Sequence, residues 1–178
     1  MTETEIIKGC LKKNAAFQHL LFNKYSPLLM TVCLRYAGNT SEAEDMLQES
    51  FIKIFSSIHQ YRFEGSFEGW IRTVTVNTCL RKLQKTKIKY DDTSTLETIG
   101  DAAQPHAISV LSEKELIRLI SNLPNGYRIV FNLNVIEGYN HDEIAAMLGI
   151  EPATSRSQLI KARRLLQKQI LLYQKIAL

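Results

Sequence analysis

The sequence predicts an all-α protein made of two small helical domains joined by a flexible linker. Three observations carry this. Apolar residues recur at helical spacing on both sides of the chain's middle, with capping residues or prolines at the starts of the stripes. Residues 89–110 (KYDDTSTLETIGDAAQPHAISV) lose that period; Asp91, Asp92, Glu97 and Asp101 make them acidic, and Gly100 and Pro105 break any helix. Residues 139–166 (YNHDEIAAMLGIEPATSRSQLIKARRLL) read as a helix, a tight turn and a second helix bearing positive charge. The domains are therefore placed at 1–88 and 111–178, with 89–110 as the linker.

In the first domain, Ile6, Ile7, Cys10 and Leu11 form the opening stripe, followed by Phe17, Leu20, Leu21 and Tyr25. Ser26-Pro27 has the pattern of a cap and first-turn residue, so a new helix is predicted there, carrying Leu28, Leu29, Val32, Cys33 and Tyr36 and closed by Gly38. Ser41 and Glu44 match a capping box ahead of Ala43, Leu47, Phe51, Ile54, Phe55 and Ile58. Residues 59–67 (HQYRFEGSF) read as a loop, and Ser66 suits the cap of a last helix. Within that helix Thr73-Val74-Thr75-Val76 is β-branched and alternating, which alone suits a strand. Trp70, Val74, Thr78 and Leu80–Leu83 keep a helical stripe, and a lone strand would have no partner, so helix is predicted.

The second domain repeats these signals. Ser112 and Glu115 match a capping box before Leu116, Leu119 and Ile120. Pro124 opens a helix with Ile129, Val130, Leu133 and Ile136 inside and Gly138 at its end, and Asn140 with Glu143 is a further capping box. Ile144, Ala145 and Leu148 share one face. Gly149 supplies the left-handed residue that ends that helix, Ile150 plugs the turn, and Pro152 begins the last helix. Short polar and basic residues near its start are the means by which a helix-turn-helix reads the major groove, which makes duplex DNA the expected partner.

The net charge of +4 is modest, but its distribution is uneven. Residues 71–90 hold Arg72, Arg81, Lys82, Lys85, Lys87 and Lys89 without an acid, and residues 152–178 hold Arg156, Lys161, Arg163, Arg164, Lys168 and Lys175 without one. More than half of the 22 basic residues therefore lie in two acid-free windows, an electrostatic footprint for phosphate backbones. Cys10, Cys33 and Cys79 lack metal or redox spacing and read as reduced, packed thiols; the histidines are scattered. No Gly-rich phosphate loop, metal-ligand cluster or nucleophile with a base is found, so no catalytic residue, metal or cofactor is expected. No apolar run is long enough to span a bilayer and residues 1–13 show no signal-peptide pattern, so a cytoplasmic location is expected.

Together, AEDMLQESFIKIF (Ala43–Phe55), GWIRTVTVNTCLRK (Gly69–Lys82) and LPNGYRIVFNLNVIEGYNHDEIAAMLGI (Leu123–Ile150), in that order and split by a linker, resemble the extracytoplasmic-function (ECF) sigma factors of bacterial RNA polymerase. The resemblance runs from about Ala15 to Leu171. It implies that the first domain is sigma region 2, which docks on the polymerase clamp and helps open the minus-10 element, and that the second is sigma region 4, which reads the minus-35 element. It implies core RNA polymerase (beta-prime clamp and beta flap) and promoter DNA as partners. It also makes a membrane-linked anti-sigma factor a candidate partner. A stand-alone helix-turn-helix regulator is the alternative; it would bind duplex without polymerase and has no need of an acidic docking face.

Residue by residue, the resemblance and the chemistry give three sets. Asp45, Gln48, Glu49 and Ile52 are candidates for polymerase docking, on a face where acids would steer a basic partner. For the minus-10 element the candidates are Arg62, Phe63, Asn77, Arg81 and Lys82, an aromatic to hold an unstacked base and polar groups to follow the strand. Thr154, Arg156, Ser157, Gln158, Ile160, Lys161 and Arg163 are candidates for the minus-35 element. Among them Arg156 suits guanine and Gln158 adenine, each by a bidentate pair. The sequence departs from the family at Val76, where a basic residue is frequent, at Arg81, where an acid is frequent, at Ser155, usually valine, and at Gln158, usually arginine. The change at Ser155 is expected to weaken the buried side of the last helix.

Overall fold

The computed structural model describes residues 2–85 and 111–176, with side chains through Leu172. The predicted linker at 89–110 lies outside the described residues. The described residues form helices and short connections, with no strand among them. The chain divides into two compact units, Met1–Lys87 and Ile88–Leu178.

The first unit begins with α1 (Glu3–Leu11), capped reciprocally by Thr2 and Glu5. After it comes α2 (Ala15–Tyr36), capped by Asn14. Here the structure corrects the predicted break at Ser26-Pro27: the helix runs straight through Pro27. A proline inside a helix costs ~3 kcal/mol through its lost N–H and its clash with the preceding turn. Two facts offset it. Leu21, Tyr25, Leu29, Val32, Cys33 and Tyr36 make one buried stripe that crosses the proline, each large apolar side chain contributing roughly 1.5–3 kcal/mol. Pro27 itself and Asn23, whose carbonyl loses its donor, are both exposed, so water can serve that carbonyl.

The next helix, α3 (Thr40–Ser57), also starts earlier than Ser41 implies. Asn39 is the cap, its side chain accepting from Glu42 N at 2.9 Å, and the Glu42 carboxylate accepts in turn from Gly38 N at 2.7 Å. A 3₁₀ turn (Ile58–Gln60) and a loop follow, and Ser66 caps α4 (Phe67–Lys85), accepting from Gly69 N at 3.2 Å. The β-branched run is helical, as predicted. Thr73, Thr75 and Thr78 each donate a hydroxyl to the carbonyl four residues back, at 3.0, 2.9 and 2.8 Å, which accommodates them within the helix. The buried stripe is broader than the predicted one: Leu80 and Leu83 face inward as expected, joined by Phe67, Ile71, Thr75, Val76 and Cys79, while Trp70 and Val74 pack half-buried against the core at its edge and Thr78 is half-buried.

Ile7, Leu21, Leu29, Phe51, Ile54 and Ile71 lie in one core cluster. All three cysteines are buried free thiols. The Cys79 thiol is pushed well above its ordinary range by a hydrogen bond with Cys33 and by burial, as expected of packed rather than reactive sulfur. In α1, Gly9 marks where the Phe17 ring seats against the helix; a Cβ there would overlap the ring itself. Gly9→Ala is therefore expected to lower stability by ~1–3 kcal/mol, even though alanine is the better helix former. A urea midpoint unchanged or raised relative to wild type would contradict this packing.

The second unit holds α5 (Glu113–Ser121), α6 (Asn125–Phe131), α7 (His141–Leu148) and α8 (Pro152–Ile176). Capping boxes at Ser112/Glu115 and Asn140/Glu143 are both formed. Pro124 opens α6 as predicted, but the helix continues through a π-helical turn at Asn132–Ile136, with Glu137 N donating to Asn132 O at 2.9 Å. Gly138 then turns the chain at φ 82°. Gly149, at φ 67° and ψ 39°, ends α7, and the amides of Gly149 and Ile150 both donate to Ala145 O. Leu119, Ile120 and Leu123 pack with Ala162 and Leu166 of α8, and Ile129, Val130, Leu133 and Ile144 are buried.

Candidate docking and nucleic-acid surfaces

Helix periodicity divides α3 cleanly. Ala43, Met46, Ser50, Phe51 and Ile54 are buried, which leaves Glu44, Asp45, Gln48, Glu49 and Ile52 together on the solvent side. Ile52 is 69% exposed, an apolar side chain beside carboxylates with nothing of its own unit to cover it. The four predicted docking residues thus share one face.

One neighbour was not foreseen for that face. Lys82 of α4 reaches across, its Nζ 2.8 Å from Glu49 Oε1 and 3.7 Å from Asp45 Oδ2. Partial burial of the ammonium lowers its pKa. The Glu49 hydrogen bond and the charges of Glu49, Asp45 and Glu42 outweigh this and hold it above the ordinary lysine range. In the free chain the charge of Lys82, a sequence candidate for the minus-10 element, is thus turned toward α3. Sequence spacing gave no sign of a pair thirty-three residues apart. Beside the pair lies an open groove of about 270 Å³ between α3 and α4, lined by Ile52, Lys53, Thr78, Arg81 and Lys85 together with Glu49 and Lys82 themselves.

The loop after the 3₁₀ turn presents an aromatic group. Phe63 has φ 60°, the left-handed region that costs a non-glycine residue ~1–2 kcal/mol, and is 48% exposed. Its ring is 5.1 Å from that of Tyr61, which packs in turn on Phe67 at 5.0 Å and Trp70 at 5.7 Å. Tyr61 Oη donates to Gly65 O at 2.9 Å and so ties the loop across its base. Trp70 belongs to the packed aromatic group, whereas Phe63 stands at its open end. Arg62 is exposed on the same loop, and Asn77 and Arg81 are exposed one turn apart on α4. Val76 is 2% exposed, so the departure from a basic residue there falls on the core side of the helix.

In α8 the exposed face carries Arg156, Ile160, Arg163 and Arg164, with Thr154, Ser157 and Lys161 half-buried beside them. Ser157 Oγ donates to Thr154 O at 2.9 Å. Gln158 is fully buried, alongside Ser155, Leu159 and Ala162, which corrects its assignment as an adenine reader. Its place two residues after Arg156 turns it about 200° from the exposed face. Ser155 is also fully buried, but the expected weakening is met by a partner: its Oγ lies 2.9 Å from His141 Nδ1 on α7. This hydrogen bond links the two helices of the turn motif at the position where the family usually has a valine.

A second unforeseen residue is Arg128, 3% exposed. Its Nη1 donates to Ser121 O at 2.6 Å and Leu123 O at 3.3 Å, and its Nη2 to Asn125 Oδ1 at 2.7 Å. A guanidinium thus satisfies the carbonyls at the end of α5, where the helix dipole favours a cation. The available signal was an arginine set within the apolar run of α6. Among the described residues there is no cluster of His, Cys, Asp and Glu with the arrangement of a metal site, and no helix long and apolar enough to cross a membrane.

These two units match two parts of one known architecture. Residues 21–88 match Sigma-70 region 2, and residues 113–166 match Sigma-70 region 4. The chain belongs to the sigma-70 family, in its extracytoplasmic-function group. Among its relatives is the ECF RNA polymerase sigma factor SigE of Mycolicibacterium smegmatis, 28% identical over 83% of this chain; the chain spans only 59% of that protein's length. The ECF RNA polymerase sigma-E factor of Haemophilus influenzae is 25% identical, with 96% of each chain covered. SigW of Bacillus subtilis is 28% identical over 82% of this chain and 84% of its own. Among solved structures, the sigma factor RpoE of Bartonella quintana, crystallised with the anti-sigma factor NepR, superposes with a TM-score of 0.51 at 19% identity, covering 86% of this chain and 95% of that one, and shows the shared fold.

Proposed function

We propose that this chain binds core RNA polymerase through the exposed face of α3 and gives the enzyme promoter specificity through its two units. Asp45, Gln48, Glu49 and Ile52 make the docking contact on the beta-prime clamp. Phe63 and Arg62, with Asn77 and Arg81 along α4, engage the opened minus-10 strand. Arg156, Ser157, Ile160 and Lys161 face the minus-35 major groove, and Arg163 with Thr154 holds the backbone beside it. The second unit rests on the beta flap. The single observation that carries the reading is the juxtaposition on α3 of carboxylates with a 69% exposed isoleucine, on a different unit from the arginine face of α8. A repressor that works alone needs no such surface, whereas a subunit that rides on a basic partner does.

An anti-sigma factor is part of the proposal, since a relative in fold is held by one. Covalent chemistry is left to the polymerase. The test is run-off transcription with purified core enzyme: starts at defined promoters appear only when the chain is added, and the chain alone shifts duplex DNA weakly at physiological salt. Tight, sequence-specific duplex binding by the isolated chain, without promoter-dependent starts, would instead establish a stand-alone regulator.

A further inference from the structure

We propose that Lys82 is an exchangeable counter-ion that couples polymerase docking to promoter binding. This rests on the docking reading above. In the free chain its ammonium is held by Glu49 and Asp45, two of the carboxylates that the polymerase would engage. When a basic partner takes those carboxylates, Lys82 is released beside Arg81 and Lys85 at the basic end of α4 and becomes a phosphate contact.

Three observations support exchange over a fixed strut. First, α3 and α4 are already joined by buried Phe51, Ile54, Phe67 and Ile71, so the ion pair is not needed to hold them. Second, the pair is open to solvent: the side chains are 24% exposed at Lys82, 53% at Glu49 and 65% at Asp45. Ion pairs with such exposure contribute only about 1.5- to 5-fold to an equilibrium, so a partner's charge displaces them readily. Third, Lys82 lines one open groove together with Arg81 and Lys85, so the space beside the pair is shared with those two cations.

The electrostatics then act in one direction. While docked on α3, Lys82 offsets part of the acidic face, and the two carboxylates offset part of the charge of α4. Each surface is weaker for its own partner than its residues would make it alone. Polymerase contact relieves both at once. Because coupling free energy is reciprocal, promoter DNA must raise affinity for core enzyme by the factor by which core enzyme raises affinity for DNA.

The test compares wild type with Lys82→Gln in full-length protein, with core polymerase and a fork DNA that is single-stranded across the minus-10 element. Without DNA, Lys82→Gln is expected to bind core enzyme about 2- to 5-fold more tightly, because docking no longer displaces a lysine. In holoenzyme its DNA affinity falls, and the slope of log affinity against log salt drops by about one. A second variant keeps the idea testable if that protein folds poorly: Glu49→Gln, assayed without polymerase, is expected to bind the fork DNA about 2- to 5-fold more tightly than wild type. Unchanged core affinity and unchanged salt slope in Lys82→Gln would overturn the proposal, as would unchanged DNA binding by Glu49→Gln. If wild type itself fails to bind core enzyme, it is the docking assignment that falls.

Discussion

Arg128→Met is expected to unfold the second unit well before the first. The substitution removes the donors to Ser121 O, Leu123 O and Asn125 Oδ1 while roughly keeping the side chain's reach. Hydrogen bonds from a charged group contribute ~1.5–3 kcal/mol each, and a buried carbonyl left without a donor costs ~1–3 kcal/mol. The combined loss, ~3–5 kcal/mol after relaxation, is comparable with the whole stability of a unit this small. Arg128→Lys should recover little, because an ammonium cannot span the same acceptors as the planar fork. The chain provides its own control: its sole tryptophan, Trp70, lies in the first unit. Urea titration followed by far-ultraviolet circular dichroism should show an early loss of helix, while Trp70 fluorescence keeps the wild-type midpoint. One unshifted transition by both probes would mean that the guanidinium adds nothing to the end of α5.

What the sequence made legible follows physical range. Features set by neighbours within a turn were readable: the capping boxes at Ser112 and Asn140, the left-handed Gly149 and the Pro152 start. Local signals failed where another local candidate competed or where packing overruled them. Asn39 displaced Ser41 as a cap because its amide reaches the amide of Glu42. Pro27 failed to start a helix because the stripe from Leu21 to Tyr36 is continuous across it. Periodicity found α4 and the inward Leu80 and Leu83 but put Trp70 and Val74 at the stripe's centre rather than its edge, since only the neighbouring helices decide which apolar side chains turn fully inward. That Asp45, Gln48, Glu49 and Ile52 share one exposed face of α3 was readable by spacing. The Lys82 bridge, the Arg128 network and the His141–Ser155 link were not, because each depends on a contact between different helices or across a turn.

The sequence offered Arg156 as a reader of guanine and Gln158 as a reader of adenine, and the fold separates them, which makes their variants an informative pair. Arg156 is exposed near the start of α8, where a guanidinium can meet both acceptors of a guanine. Arg156→Ala is expected to cost ~1–3 kcal/mol in discrimination, seen as a roughly 5- to 150-fold fall in initiation from the preferred upstream sequence. Its preference should relax at one base pair and persist at the others. Arg163→Ala should act differently, weakening all upstream sequences alike and lowering the salt slope by about one. Gln158→Leu is the decisive contrast. The side chain is fully buried among Ser155, Leu159 and Ala162, so its replacement should alter stability and leave base preference unchanged. Holoenzyme transcription from a randomised upstream element, read out by sequencing, measures all three. A shifted base preference in Gln158→Leu, with Arg156→Ala silent, would mean that α8 meets DNA on the opposite face from the one proposed.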